Sequence, residues 1–212
     1  SSKYCIATSN CTSALHLSLK SLGITRGDEV IIPDMTFVAT ASSVLFTGAS
    51  PVVADIDNDL NISIESIEKS ITKKTKVILP VHFAGKICNI DKIKKIAKKN
   101  NLKVIEDCAQ APGGKYKGKV LGTIGDCGIF SFQESKNLVT GEGGMLVTDD
   151  DEIVNLARMV RNHGEVILPT LKKRTYKAEI LGWGYRMTEM EAALGIVQLS
   201  KLNKMNQERI KL

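Results

Sequence analysis

No apolar run in the 212 residues approaches the roughly 18 needed to cross a membrane. The opening Ser1-Ser2-Lys3-Tyr4-Cys5 has no signal-peptide pattern. None of the five cysteines (Cys5, Cys11, Cys88, Cys108, Cys127) pairs at CxxC spacing, which argues against a zinc site. Their odd number and apolar flanks predict reduced, mostly buried thiols in a cytoplasmic protein. The chain also lacks GxGxxG between its first strand and helix, where Ser9-Asn10-Cys11-Thr12-Ser13 stands instead, and this excludes the usual dinucleotide cradle. Aromatic residues are 5%, with no stacking set and no known nucleic-acid module. The excess of 29 Lys+Arg over 23 Asp+Glu is therefore not read as a nucleic-acid signal. Many of the lysines fall in residues 91–100, where Ile90, Ile93, Ile96 and Ala97 share one side. That pattern predicts an amphipathic helix with a basic, solvated outer face. A mild positive field suits an anionic small-molecule substrate without identifying one.

What is present reads as one domain with a large core, 43% hydrophobic and free of internal repeats. Short apolar segments alternate with helical patterns. Strands are predicted at 4–7, 30–32, 52–54, 77–81, 103–106, 128–132 and 145–148. Helices are predicted at 12–22, 40–47, after a Ser63 cap, through the lysine-rich stretch, and at 153–161 and 188–205. Near-continuous apolar strands alternating with helices predict an α/β fold, a mainly parallel central sheet with helices on both faces. In such sheets ligands bind at the carboxyl ends of the strands.

Four polar groups fall at those ends. Lys136 follows the apolar strand ending near Ser131, and Gly141, Gly143 and Gly144 beside it permit close backbone approach. A lysine just past a strand is ordinarily solvated; one that forms a Schiff base must be partly desolvated so that its amine is neutral often enough to attack a carbonyl. Asp107 ends a strand expected to be central, with Gln110 three residues on. Its ordinary role is a cap, and its chemical one is to face a cationic ring nitrogen. Residues 8–13 follow a strand and open a helix, so unpaired N–H groups and the hydroxyls of Thr12 and Ser13 make a phosphate cradle there, although such residues are also common caps. Phe37 follows the second strand, placed either for the core or to stack on a ring. His82, at a strand end, is a further candidate for the site wall, and Gln133 and Glu134 lie near the lysine. His16 reads as packing.

In this order the pieces resemble the DegT/DnrJ/EryC1/StrS sugar-aminotransferase family, pyridoxal 5'-phosphate (PLP) enzymes of the aspartate-aminotransferase fold type. The matching stretches are 9–17, 33–40, 80–85, 106–110, 131–136, 140–144 and 182–195, almost the whole chain. Ser131-Phe132-x-x-x-Lys136 followed by Thr140-Gly141-Glu142-Gly143-Gly144 is the most specific of them. The resemblance implies that Lys136 carries the cofactor covalently and later shuttles the proton. It implies that Asp107 pairs with the pyridine nitrogen, Gln110 contacts the ring region and Phe37 stacks on it, while Thr12, Ser13 and Ser131 hold the phosphate. It implies a homodimer with active sites at the subunit interface, and transfer of an amino group from glutamate or glutamine to a keto-sugar, commonly nucleotide-linked. Two departures stand out. The family asparagine that reaches the neighbouring subunit's phosphate falls at Gly184. The family's N-terminal segment and small C-terminal domain are absent, so residues 1–212 are expected to be a fragment holding the PLP-binding large domain. Related dehydratases carry histidine in place of the lysine, and a non-catalytic sensor would lack conversion by an amino donor.

Overall fold

The computed structural model describes residues 2–166 and 176–212. In chain order the main elements are β1 (Tyr4–Thr8), α1 (Cys11–Ser21), β2 (Glu29–Pro33), α2 (Ala39–Phe46), β3 (Ser50–Ala54), α3 (Ile64–Ser70), β4 (Thr75–Ile78), α4 (Ile90–Lys99), β5 (Lys103–Asp107), a small hairpin of β6 (Lys115–Tyr116) and β7 (Lys119–Val120), β8 (Cys127–Ser131), β9 (Gly144–Thr148), α5 (Asp151–Arg161) and α6 (Glu189–Ile210). Seven strands form one sheet in the order β1-β9-β8-β5-β4-β2-β3, which puts β5 at its centre. All run parallel except β9, which is antiparallel to both β1 and β8. Among the described residues no helix is long and apolar enough to cross a membrane.

The two-residue period of a strand sends alternate side chains to opposite faces, and both faces are apolar here. Val30, Ile32, Val77, Leu79, Ile105 and Ile129 pack with residues of α1, α2 and α5. Ile31, Ile78 and Val104 pack on the other side with Ile67 of α3 and Ile90, Ile93, Ile96 and Ala97 of α4. The lysines of α4 stay exposed, as the sequence pattern predicts. Each large side chain so buried contributes about 1.5–3 kcal/mol relative to exposure.

Several expectations need adjustment. The pattern predicts one apolar face for α1, yet Leu17, Ser18 and Ser21 are buried as well. This helix lies between the sheet and α2 and α5, so it has little free face. The Ser18 and Ser21 hydroxyls donate back to the carbonyls of Leu15 and Leu17, each at 2.7 Å, and so remain satisfied. Ser63 does precede α3, but its side chain makes no capping hydrogen bond. α6 opens on a full capping box, with Thr188 and Glu191 each accepting the other's backbone N–H, and it runs to Ile210, five residues beyond the predicted end.

His16, expected to be a packing residue, is 2% exposed and stands edge-on to the rings of Phe46, Trp183 and Tyr185. Burial, helped by the charge of Lys20, lowers its pKa to about 4. Its folded pKa lies below its unfolded value of about 6.5, so its contribution to stability is present above pH 6.5 and is lost as pH falls toward 4. The expected slope from this one group reaches about 1.4 kcal/mol per pH unit within that window. Denaturant unfolding of His16→Phe beside the parent at several pH values checks it: the parent should lose stability faster between pH 6.5 and 4.

Candidate active site

Five strands, β1, β2, β4, β5 and β8, point the same way, and the segments leaving their carboxyl ends converge on one cavity of about 620 Å³. That size lies within the usual range for small-molecule sites. The wall holds Thr12 from the start of α1, Phe37 and Thr40 after β2, Asp107 and Gln110 from the end of β5, and Ser131 and Lys136 from the end of β8. Of the seven residues singled out from sequence, six line this cavity. Ser13 does not: its N–H is taken by the Asn10 side chain at 2.8 Å, and its hydroxyl faces that of Ser9 at 3.1 Å.

Each group is held by local structure. Asn10 caps α1, and its carbonyl accepts the Ala14 N–H. The N–H groups of Cys11 and Thr12 open the helix with no intrahelical acceptor, at its positive end. Behind them lies Gly144, the first residue of β9, paired with Thr8 on one side and Ser131 on the other. A Cβ at Gly144 would stand 2.5 Å from the Asn10 carbonyl and 2.7 Å from the Cys11 nitrogen. These are backbone atoms that cannot swing aside. Gly144→Ala is therefore expected to cost about 2–3 kcal/mol of stability and to weaken anion binding at the cradle. Denaturant unfolding together with a phosphate-ester titration would measure both.

Asp107 is 4% exposed, and its Oδ1 accepts the Ala109 N–H at 2.9 Å. Burial pushes its carboxyl above the ordinary range, against the pull of that N–H, of His82 and of Lys136. A carboxylate so poorly hydrated is best relieved by a cation placed against it. Lys136 is half-buried and, among the described residues, is the one cationic side chain in the lining. Gln110 accepts the Ala84 N–H at 2.7 Å through Oε1, which leaves its NH₂ for a ligand. Phe37 is 70% exposed at the rim, an apolar ring with no ring contact among the described residues.

The donor set suits a phosphorylated, cationic heteroaromatic aldehyde: free N–H groups and hydroxyls for the phosphate, a buried carboxylate for the ring nitrogen, an amine for the carbonyl. Sequence reasoning missed Cys11, Thr36, Thr40 and Glu142, which also line the cavity. Thr36 and Thr40 are four residues apart, with hydroxyls 2.7 Å from each other. That spacing across a helix start was the available signal. Burial drives the Cys11 thiol well above its ordinary pKa, which makes it a packing group rather than a nucleophile. Two other expectations are corrected. His82 is fully buried behind the strand and is not part of the wall, because alternation turns it to the α4 side. Gln133 lines the cavity, whereas Glu134 is exposed outside it. Gly184 is exposed, makes a bridge with Asn162 and is not in the lining.

Comparison with known proteins agrees with this geometry. The chain is 44% identical over 203 residues to a GDP-perosamine synthase of Caulobacter vibrioides, covering 95% of this chain and 53% of that protein. It is 43% identical to the spore coat polysaccharide biosynthesis protein SpsC of Bacillus subtilis, covering 98% of this chain and 55% of the relative. The crystal structure of an aminotransferase from Psychrobacter cryohalolentis superposes with a TM-score of 0.90 at 44% identity, over 94% of this chain and 52% of that one. The chain thus spans about half the length of the relatives it matches. The family model for DegT/DnrJ/EryC1/StrS aminotransferases matches residues 1–212, and the chain belongs to that family.

Proposed function

We propose that the protein is a cytoplasmic PLP-dependent aminotransferase that moves an amino group from glutamate or glutamine to a nucleotide-linked keto-sugar, with residues 1–212 as its cofactor-binding large domain. The observation that carries this reading is the meeting of Asp107, Lys136 and the open start of α1 around one cavity. The names of the relatives, a GDP-perosamine synthase and a spore coat polysaccharide protein, support a sugar acceptor. When bound, PLP supplies an electron sink for the substrate carbon.

The residues of the chain do the rest. The Nζ of Lys136 would hold the cofactor through its carbonyl and, once freed, would carry a proton to and from the substrate carbon. Asp107 would hold the ring nitrogen in its protonated form by offering it a buried negative charge. Thr12, Ser131 and the N–H groups of Cys11 and Thr12 would hold the phosphate, and Gln110 and Phe37 would hold the ring. Ser13 stays in the proposal only through its place in the α1 turn. Lys136, where related dehydratases carry histidine, favours transfer over dehydration.

The reading includes a homodimer. Phe37, at the cavity rim, and Val38, Leu45 and Phe46, on and beside α2, are 58–70% exposed. Among the described residues the lining offers no cation besides Lys136, although both a phosphate and a substrate carboxylate need partners. A second copy over this face would bury the apolar groups and bring further polar ones. The test is to load the full-length protein with PLP and add glutamate, then glutamine. Bleaching of the visible band, restored by a 2-keto acid, is the expected result, with sedimentation reading a dimer. A band unmoved by every amino donor would favour a sensor.

A further inference from the structure

Directly behind Asp107, on the opposite face of β5, lies a buried pair that the proposed chemistry does not use. Glu106 and His82 are both fully buried, with His82 Nε2 3.1 Å from Glu106 Oε2. Both carboxylate oxygens are engaged. Oε2 also accepts the Gly122 N–H at 3.1 Å, and Oε1 accepts those of Ile124 and Gly125 at 2.7 Å each. The imidazole is fixed as well: Nδ1 accepts the Cys88 N–H at 3.2 Å, so the ring proton sits on Nε2 and is donated to Glu106. Cys108 brings its sulfur within 4.8 Å of the pair, a spacing compatible with a metal. The hydrogen bonds already made account for both acids' and bases' capacity there, so an ion is not needed to explain the cluster.

What the pair joins is more informative than its charge. The backbone N–H of His82 donates to the Asp107 carbonyl at 3.0 Å, and the Asp107 N–H to the Pro80 carbonyl at 2.9 Å. The 122–125 turn leads straight into β8, the strand that delivers Ser131 and then Lys136. One carboxylate therefore ties the ends of β4 and β5 to the entry of β8. We propose that Glu106, through His82 and the 122–125 turn, is a positioning residue that sets Asp107 against Lys136. This rests on the PLP reading for its purpose, but the placement of Asp107 can be tested without cofactor.

The groups facing Asp107 are Lys136, Cys11 and Glu142 around the cavity, and His82, Glu106 and Cys108 behind the strand. Glu106→Gln sets an NH₂ against the Gly122 N–H or the His82 Nε2–H, donor against donor. His82→Gln keeps a donor for Glu106 and an acceptor for Cys88, and serves as the conservative rescue. The experiment is a ¹³C-carboxyl NMR titration of apo full-length protein, with the Asp107 signal assigned by its loss in Asp107→Asn, followed by PLP titration. In Glu106→Gln the Asp107 midpoint should fall by about one pH unit, as water reaches the loosened strand end and a neighbouring negative charge is lost. PLP binding should weaken roughly tenfold, the lower range for outer-shell substitutions at metal sites. His82→Gln should keep the PLP affinity, while its Asp107 midpoint moves up rather than down as the pull of His82 is lost. A folded Glu106→Gln protein with lower Tm but unchanged midpoint and PLP affinity would overturn the proposal and leave only a packing role. If Glu106→Gln does not fold, His82→Leu decides by the same PLP measurement against His82→Gln: tenfold weaker binding supports positioning, and equal binding overturns it. Failure of the wild type to bind PLP would count against the functional reading alone, since the apo titration still reports on Asp107.

Discussion

Lys136→Ala is expected to abolish the visible absorbance of the PLP-loaded protein and its fixation by borohydride, while leaving the fold intact. The side chain is half-buried at the end of a loop, and its backbone N–H already bonds the Gln133 carbonyl at 2.9 Å, so truncation removes the amine and little else. Two proposed functions would go together, the covalent hold on the cofactor and the proton transfer. The second alone is worth roughly 10²–10⁴ in rate. Lys136→Arg is the companion variant. It keeps a charge in the cavity but cannot present a neutral amine. Equal loss in both variants assigns the effect to the amine, whereas substantial activity in Lys136→Arg would assign it to charge. A persistent band in Lys136→Ala would mean that another amine carries the cofactor, and the site would have to be redrawn.

Asp107→Asn is expected to act in opposite directions on activity and on stability. With the ring nitrogen bound, the carboxylate is one half of a buried ion pair, and removing one partner of such a pair costs about 3–5 kcal/mol. That corresponds to a loss of roughly two to four orders of magnitude in turnover or cofactor affinity. In the apo protein the sign reverses. Burial raises the Asp107 pKa, so its contribution to stability is full below its unfolded pKa and is lost as pH rises through the folded value. At neutral pH the apo protein therefore carries the cost of a poorly hydrated charge, and the asparagine variant should be the more stable of the two. Apo unfolding at pH 5 and pH 8 separates these effects. The advantage of the variant should widen with pH, and a variant less stable at both values would show that Asp107 is needed structurally.

The meeting of Asp107 and Lys136 at one cavity was legible because its pieces are local. Asp107 and Lys136 each lie at or just beyond the end of a short apolar strand, and the rule that ligands gather at carboxyl ends brings them together without any knowledge of pairing. Phe37 and Thr12 follow by the same reasoning. What escaped depends on contacts distant in sequence or on a one-residue alternation. The antiparallel β9 reads as one more apolar strand, and nothing within residues 144–148 reveals that it inserts between β1 and β8. His82 was placed by its strand end, but the face on which it falls is set by register, and that register turns it away from the cavity toward Glu106. Ser13 looked like a phosphate ligand because hydroxyls at a helix start serve equally as ligands and as capped positions. Only the Asn10 side chain on its N–H distinguishes the two. The 115–120 hairpin has no strand pattern long enough to detect.

The insertion of β9 also sets a timetable for the newborn chain. Strand β1 pairs with β9 alone, Tyr4 opposite Thr148 and Thr8 opposite Gly144. The residues that open the candidate anion site thus gain their backing only after some 140 more have been added. At ordinary synthesis rates of about 5–20 residues per second this is a wait of roughly 7–28 s. Throughout that interval an apolar strand and an unfinished anion site stand without their partner. On the proposed reading, capture of PLP would therefore follow the making of β9, and cofactor supply should influence how much chain matures rather than how fast synthesis begins.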